Sequence, residues 1–287
     1  MTVIVGALPL PWPFEREYMQ LALAAGLTVG ACAPLIGAFL VQKRMSLMGD
    51  GIGHLAFAGV AAGLLANVWP IWTALIAAVI GAVAIEWLRS HGRASGDLAL
   101  ALFFYGGIAG GAVLVSRAGA GSTNVLPYLF GSVLTATRGD VAIVMVLGVC
   151  IVLTLLVTGR ALFAIVLDEE SARVSGLPVD TLNTLLAALT AITIVAAMRV
   201  VGVLLVAALM VLPVATSRLV ARSFRATLVG ATVVGMASVV MGLVAARAWS
   251  LAPGGSIVLA VALCFTITAI VASALRLGQG AAVVPTT

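Results

Sequence analysis

The sequence predicts an all-α polytopic membrane protein, a bundle of eight or nine transmembrane helices with one short helix on the cytoplasmic side. Hydrophobic residues make up 63% of the 287 positions and charged residues only 9%, against about 25% charged residues in a soluble domain. The chain also divides into long apolar runs, and a helix needs roughly 20 apolar residues to cross the hydrocarbon core. The 31 glycines are typical of helices that pack closely in membranes.

Nine apolar runs follow one another without a linker, a low-complexity tract or a block of charge between them. They lie at about 19–42, 52–68, 70–88, 98–116, 141–159, 181–198, 200–220, 227–247 and 255–275. Some runs are short, so the predicted number of spans is eight or nine. We expect a single membrane domain over residues 19–276. An extracytoplasmic or interfacial segment at 1–18 precedes it, and a cytoplasmic tail at 277–287 follows.

The basic residues predict the orientation, because cytoplasmic loops of membrane proteins carry an excess of Lys and Arg. With the N-terminus outside the cell, ten of the 15 Lys and Arg residues lie on the cytoplasmic side. These ten are Lys43, Arg44, Arg89, Arg93, Arg160, Arg173, Arg218, Arg222, Arg225 and Arg276. The net charge of +5 is spread through the loops, which argues against nucleic-acid binding. The expected location is the cytoplasmic membrane, in a multi-pass arrangement.

Pairs of glycines four positions apart predict where helices come close together. Among the pairs with this spacing are Gly26/Gly30, Gly59/Gly63, Gly106/Gly110 and Gly107/Gly111. The spacing recurs in most helical membrane bundles, so it predicts packing rather than a particular function.

Asp50 and His54 lie four positions apart in the apolar stretch "KRMSLMGDGIGHLAFAGVAAGLLA". A helix places them on one face. On a continuous helix Asp50 would lie about 9 Å beyond Arg44, within the membrane, where an ionisable group usually faces a cavity or a partner. A carboxylate and an imidazole are good ligands for zinc, manganese or ferrous iron. The alternative is a structural Asp–His hydrogen bond that ties helices together.

The segment "LDEESARVSGLPVD", residues 167–180, is the most polar in the chain and holds four of its ten acidic residues. It predicts a short amphipathic helix that stops at Gly176 and Pro178. The acidic cluster in it forms either a solvated loop or a docking surface for another protein. Three other polar residues, Glu86, His91 and Asp140, are interpreted as a salt-bridge partner, a solvated loop residue and a cap.

Missing motifs exclude several enzyme classes. Lys43 is the only lysine and no G-x-x-x-x-G-K-[ST] occurs, so the chain cannot bind ATP through a P-loop of its own. No H-E-x-x-H occurs either, which argues against an intramembrane zinc protease. We therefore predict that the chain is not an enzyme.

Five segments, in order along the chain, resemble the signatures of the zinc/manganese/iron ABC-transporter membrane permeases. They are "KRMSLMGDGIGHLAFAGVAAGLL", "YLFGSVL", "DEESARVSGLPVD", "VGVLLVAALMVLPVATSRLVAR" and "LAPGGSIVLA". Together they run from about residue 26 to residue 275. This chain departs from the family pattern at Gly51, Gly53 and Ala58. Each extra glycine is expected to loosen the local helix by roughly 1 kcal/mol.

The resemblance implies the permease subunit of an ABC importer, a homodimer in the membrane. A cytoplasmic ATPase subunit and an extracytoplasmic metal-binding protein are the implied partners. Asp50 and His54 are implied to coordinate the transported zinc or manganese, with iron possible and no permanently bound cofactor. The implied ATPase-coupling residues are Asp168, Glu169, Glu170, Ala172, Arg173, Gly176, Leu177 and Pro178. The alternatives are an iron or iron-chelate permease, a stand-alone secondary transporter and an intramembrane metalloenzyme.

Overall fold

The computed structural model describes residues 12–92, 96–118, 125–131, 137–198 and 201–280. Within these ranges the chain forms helices and loops, with no strand. The helices are α1 (Glu17–Gln42), α2 (Met48–Leu65), α3 (Pro70–Ser90), α4 (Gly96–Ala118), α5 (Leu126–Phe130), α6 (Arg138–Leu167), α7 (Glu169–Val174), α8 (Val179–Met198), α9 (Val203–Arg218), α10 (Phe224–Trp249) and α11 (Pro253–Gly280).

The predicted all-α membrane bundle is confirmed. Eight helices in the described ranges are long and apolar enough to cross a membrane, and α9, with 16 residues, is a shorter apolar helix. Each of the nine apolar runs overlaps one of these helices. The short helix α7 occupies the polar segment, where the sequence predicted it.

Contacts between helix ends show that successive helices alternate in direction. The ends of α1 and α3 meet α7, because Lys43 and Arg89 both contact Glu169. The starts of α1 and α6 meet at the opposite side, where the Arg138 guanidinium lies 2.7 Å from the Glu17 carboxylate. We call the first of these the α7 side of the bundle.

The centre of the bundle separates two groups of helices. α2 packs against α3, α4, α8 and α9, whereas α1 packs against α6, α8, α9 and α10. α8 and α9 therefore lie between an α2–α3–α4 group and an α1–α6–α10 group. The site described below lies in the first group.

The glycine pairs in α1 and α2 lie where backbones come close. A Cβ atom at Gly30 would lie 3.0 Å from the carbonyl oxygen of Gly235 in α10, and Gly26 is also buried. A Cβ atom at Gly59 would lie 2.7 Å from the backbone of α3, and one at Gly63 would lie 3.0 Å from it. Any side chain at Gly59 would push α3 away from α2.

α6 is longer than the apolar run that predicted it, which ended near residue 159. The helix continues to Leu167, so Arg160 lies inside it. Thirty residues span about 45 Å at 1.5 Å per residue, more than the ~30 Å hydrocarbon core. Arg160 is exposed on the surface of the helix, seven residues before its end.

Several sequence predictions fall partly or wholly outside the described residues. Of the segment 1–18, residues 1–11 lie outside them, and the same holds for Arg93. α11 continues to Gly280, four residues into the expected tail, and residues 281–287 lie outside.

Candidate functional site

Asp50 and His54 lie one turn apart on the same face of α2. The helix begins at Met48, whereas the connector 43–47 is not helical and Arg44 takes a φ of 60°. The expectation that one continuous helix separates Arg44 from Asp50 by about 9 Å is therefore wrong, because the chain turns between them. Asp50 lies in the first turn of α2, where the helix dipole favours a negative charge.

Both side chains are half-buried. Neither makes a hydrogen bond or an ion pair with any residue that the structure describes. The Asp50–His54 hydrogen bond considered from the sequence is therefore not formed there. A carboxylate and an imidazole on one helix face, with their lone pairs unused by these residues, can bind a cation.

α4 forms an apolar wall against the pair. The His54 ring packs edge-on against Phe104, with ring centroids 4.6 Å apart and an interplanar angle of 80°. A Cβ atom at Gly107 would lie 2.8 Å from the carbonyl carbon of His54, so glycine is needed for α4 to come this close. Gly111 receives the Phe57 ring of α2. The imidazole is thus held between an aromatic ring and its own helix.

The neighbouring pair on α4 is placed differently. Cβ atoms at Gly106 and Gly110 would have no described atom within 4 Å. These two glycines therefore face away from α2 and the rest of the single chain.

A cavity of about 290 Å³ lies beside Asp50, between α2 and α4. Its other lining residues are apolar or aromatic: Leu47, Leu100, Ala101, Phe104 and Tyr105. Tyr105 is 68% exposed, so the cavity opens to the outside of the single chain. Apolar walls lower the local dielectric constant, which strengthens the attraction between Asp50 and a cation.

Gly51 and Gly53 have packing roles that the sequence did not predict. A Cβ atom at Gly51 would lie 2.6 Å from a methyl carbon of Leu100 in α4, and one at Gly53 would lie 3.4 Å from Val203 in α9. Both glycines are buried. They allow α4 and α9 to approach α2 on either side of Asp50, which offsets part of their intrinsic cost to the helix.

Asp50 and His54 are two side chains of types that bind metal ions. Across the described part of the chain, no three His, Cys, Asp or Glu side chains come together as a metal site. Structural zinc normally has four protein ligands. Two such side chains are half of that number.

Glu169 connects α7 to three membrane helices. Lys43, at the end of α1, lies with its Nζ 3.5 Å from Glu169 Oε2 and donates to Asn183 Oδ1 of α8 at 2.5 Å. Asn183 Nδ2 donates to Glu169 Oε1 at 3.2 Å, and an Arg89 nitrogen of α3 lies 3.9 Å from Glu169 Oε2. Burial lowers the pKa of Lys43 and repulsion from Arg89 lowers it further, whereas the Glu169 carboxylate opposes both. We call these four residues the Glu169 network.

Asp168 holds the start of α7. Its carboxylate accepts hydrogen bonds from the Glu170 and Ser171 amides at 3.0 and 3.1 Å, and from the Ser171 hydroxyl at 2.6 Å. These bonds, led by the hydroxyl, lower the pKa of Asp168. Glu170 is exposed. The three acidic residues predicted as one cluster therefore differ: one caps α7, one reaches into the bundle and one faces solvent.

α7 ends at the predicted stop. Gly176 takes a φ of 81°, and the Leu177 amide donates to the Ala172 carbonyl, which is the Schellman arrangement that favours glycine. Arg173 pairs with Asp180 at 3.0 Å, so it fastens the turn to the start of α8. Pro178 directly precedes α8.

Val174 is an exposed residue that the sequence analysis missed. It is 90% exposed, although it lies on a short helix with few other apolar groups. It shares a face of α7 with Glu170, because the two are four positions apart. The signal that could have identified it is that Val174 is the one branched apolar residue within α7, Glu169–Val174.

The other polar residues considered from the sequence have structural roles. Glu86 is 3% exposed and binds two nitrogens of Arg89 at 2.6 and 2.9 Å. Asp140 closes a capping box with Thr137 at the start of α6. His91 is exposed, and its Nδ1 lies 2.9 Å from a backbone carbonyl of its own helix.

Comparison with known proteins gives consistent matches over most of the chain. The model of the ABC 3 transport family matches residues 15–272. The manganese transport system membrane protein MntC of Halalkalibacterium halodurans is 31% identical over 251 residues, which is 88% of this chain and 86% of the relative. The high-affinity zinc uptake system membrane protein ZnuB of Haemophilus influenzae is 31% identical over 253 residues, 88% of this chain and 97% of the relative.

A solved structure has the same fold. A chain of PsaBC from Streptococcus pneumoniae, determined in complex with Fab, superposes with a TM-score of 0.80. The identity is 30%, and the alignment covers 88% of this chain and 91% of that chain.

Proposed function

The chain belongs to the ABC 3 transport family, and we propose that it is the membrane permease subunit of an ABC importer for a divalent transition-metal ion, zinc or manganese. The observation that carries this proposal is the carboxylate–imidazole pair on one face of α2, unbonded among the described residues. The names of the relatives support it, since MntC belongs to a manganese system and ZnuB to a zinc system.

The two ligands have different tasks. The Asp50 carboxylate supplies the charge that attracts the ion as it loses water. The His54 imidazole is softer and suits zinc better than manganese.

We infer that a second copy of the chain completes the site. The cavity beside Asp50 opens to the outside of the single chain, where hydrocarbon would otherwise meet a carboxylate at high cost. A homodimer with the two α2–α4 surfaces facing each other would bring four ligands together and cover the cavity.

ATP hydrolysis would come from a separate cytoplasmic ATPase subunit that docks on α7. The exposed face with Glu170 and Val174 is the contact surface. When the ATPase subunit moves α7, the Glu169 network would transmit this movement to Lys43. Asp50 follows Lys43 by seven residues, so the movement would reach the proposed metal site. In this arrangement the α7 side faces the cytoplasm, the chain lies in the cytoplasmic membrane, and a metal-binding protein delivers the ion at the opposite side.

Uptake of radiolabelled zinc and manganese by cells that lack the native permease tests the function. We expect the chain, expressed with its ATPase subunit, to restore uptake of one of the two metals. Uptake should disappear when a Lys in the P-loop of the ATPase subunit is replaced. Uptake that persists with the inactive ATPase would indicate a secondary transporter, and restoration of neither metal would reject the proposed substrates.

Val174→Asp is expected to weaken ATPase binding by about tenfold or more. The variant would bury an unpaired charge in the contact surface, which costs at least ~1.4 kcal/mol, and that free energy corresponds to a tenfold change in affinity. The measurement is the amount of ATPase subunit that copurifies with the permease. Leu251→Asp is the matched control, because Leu251 is half-exposed at the opposite side. Equal ATPase recovery with the two variants would place the docking surface elsewhere.

Glu169→Gln is expected to abolish uptake while ATPase recovery stays normal. The amide keeps the size of the side chain but removes the charge that holds Lys43 and Arg89. Glu15→Gln, at an exposed carboxylate before the start of α1 and away from α7, should leave uptake unchanged. If Glu169→Gln transports normally, the Glu169 network does not transmit the movement of the ATPase.

A further inference from the structure

We propose that the chain binds an anionic phospholipid in a groove between α1, α6 and α10, with the lipid phosphate at its arginine-lined end. The groove has a volume of about 530 Å³. It lies in the α1–α6–α10 group of helices, away from α2 and α4. The proposal is independent of the metal site.

The body of the groove is apolar and faces outwards. Three rings form its floor near the α7 side: Phe224 packs against Phe163 with centroids 4.7 Å apart and against Phe39 at 5.2 Å. Leu156 lines the groove and is 75% exposed. Such a surface accommodates an acyl chain in a membrane.

The end of the groove towards the α7 side is basic. Arg160 and Arg225 line it, and Arg218 and Arg222 line an adjoining cavity of about 410 Å³. All four side chains are exposed, and none makes a hydrogen bond or an ion pair with another part of the described chain. Basic pockets between membrane helices on the cytoplasmic side bind anionic lipid headgroups.

The position of Arg160 favours a lipid over a protein partner. It precedes the end of α6 by seven residues, which is about 10 Å along the helix. A charged group inside a membrane span needs a partner at the same depth. A lipid phosphate beside the groove can meet it there, whereas an acidic protein surface in the cytoplasm would reach Arg222 more readily.

The test measures binding of phosphatidylglycerol, phosphatidylcholine and inorganic phosphate to the purified full chain, from the rise in its unfolding temperature during titration. We expect phosphatidylglycerol to bind at least tenfold more tightly than phosphatidylcholine. The double variant Arg160→Gln/Arg225→Gln should lose this preference. Arg247→Gln, an exposed arginine at the opposite side of the bundle, should keep it.

A second variant tests the apolar body of the groove without removing a charge. A Cβ atom at Gly159 would have no described atom within 4 Å, and Gly159 lines the groove. Gly159→Leu should therefore fill the groove without a clash and weaken phosphatidylglycerol binding severalfold while the chain still folds.

Five results would overturn the proposal. Equal affinity for the two lipids, or an unchanged preference in the double variant, would exclude a headgroup site at these arginines. An equal rise in the unfolding temperature with inorganic phosphate and with phosphatidylglycerol would exclude a role for the acyl chain. A disulfide-linked dimer formed through Leu156→Cys would show that a second copy covers the groove. Loss of ATPase recovery in the double variant, with lipid preference intact, would assign the arginines to protein docking.

Discussion

Asp50→Asn is expected to reduce metal uptake by more than about 100-fold. Loss of a residue that only supports a metal ligand already costs up to about 100-fold, and Asp50 is proposed to bind the ion directly. The amide is nearly the same size, and the carboxylate makes no hydrogen bond or ion pair with the described residues. The substitution therefore removes a negative charge and little else. Membrane abundance and ATPase recovery should match wild type. The measurement is the initial rate of radiolabelled zinc and manganese uptake.

Two further variants make the result specific. Glu15→Gln, an exposed carboxylate outside the bundle, should transport normally and controls for loss of charge as such. His54→Gln should reduce zinc uptake more than manganese uptake, because imidazole suits zinc and carboxylate suits manganese. Normal transport by Asp50→Asn would assign the pair a structural role and would reject the proposed metal site.

Gly37→Ala is expected to destabilise the folded chain by about 3 kcal/mol or more, the high end of overpacking costs. Gly37 lies where α1 crosses α9, and an added Cβ atom would overlap the backbone carbonyl of Met210. A carbonyl in a helix cannot rotate away, so the two helices must separate. The measurement is the unfolding temperature of the purified chain, together with the yield of folded protein.

Gly106→Ala is the matched control for this effect. Gly106 is also in the middle of a membrane helix, but an added Cβ atom would have no described neighbour within 4 Å. Its stability should stay the same or rise slightly, because alanine favours helix by about 1 kcal/mol over glycine. Similar losses in the two variants would show that the crossing of α1 and α9 is not tightly packed.

Composition and the lengths of the apolar runs predicted the helices well, because a membrane-spanning helix is a long run of apolar residues that few polar residues interrupt. They failed at helix ends. A non-helical connector delays the start of α2 to Met48, and α6 continues past Arg160 to Leu167. A count of apolar residues detects neither. Helix geometry correctly placed Asp50 and His54 on one face.

The surroundings of the site could not be predicted from the sequence. Lys43 and Glu169 are far apart in the chain, and only the folded bundle brings the end of α1 to α7. The same holds for the contact between Leu100 and Gly51. The sequence predicted that this glycine would loosen α2, whereas in the folded bundle the Leu100 side chain of α4 packs against it. Contacts of this kind join residues that are distant in the sequence, so a single sequence does not predict them.

The interlocking of α2 and α4 constrains how the transporter can cycle. Leu100 of α4 packs against Gly51, and Phe57 of α2 packs against Gly111. A large side chain of each helix therefore occupies the space that a glycine leaves on the other. Neither can slide along its neighbour without one of these side chains meeting backbone. In the proposed transport cycle, the two helices would therefore move together when the α7 side moves. If the proposed metal site is correct, an ion would then meet the same carboxylate, imidazole and aromatic ring from either side of the membrane, and the same groups would select it on entry and on exit.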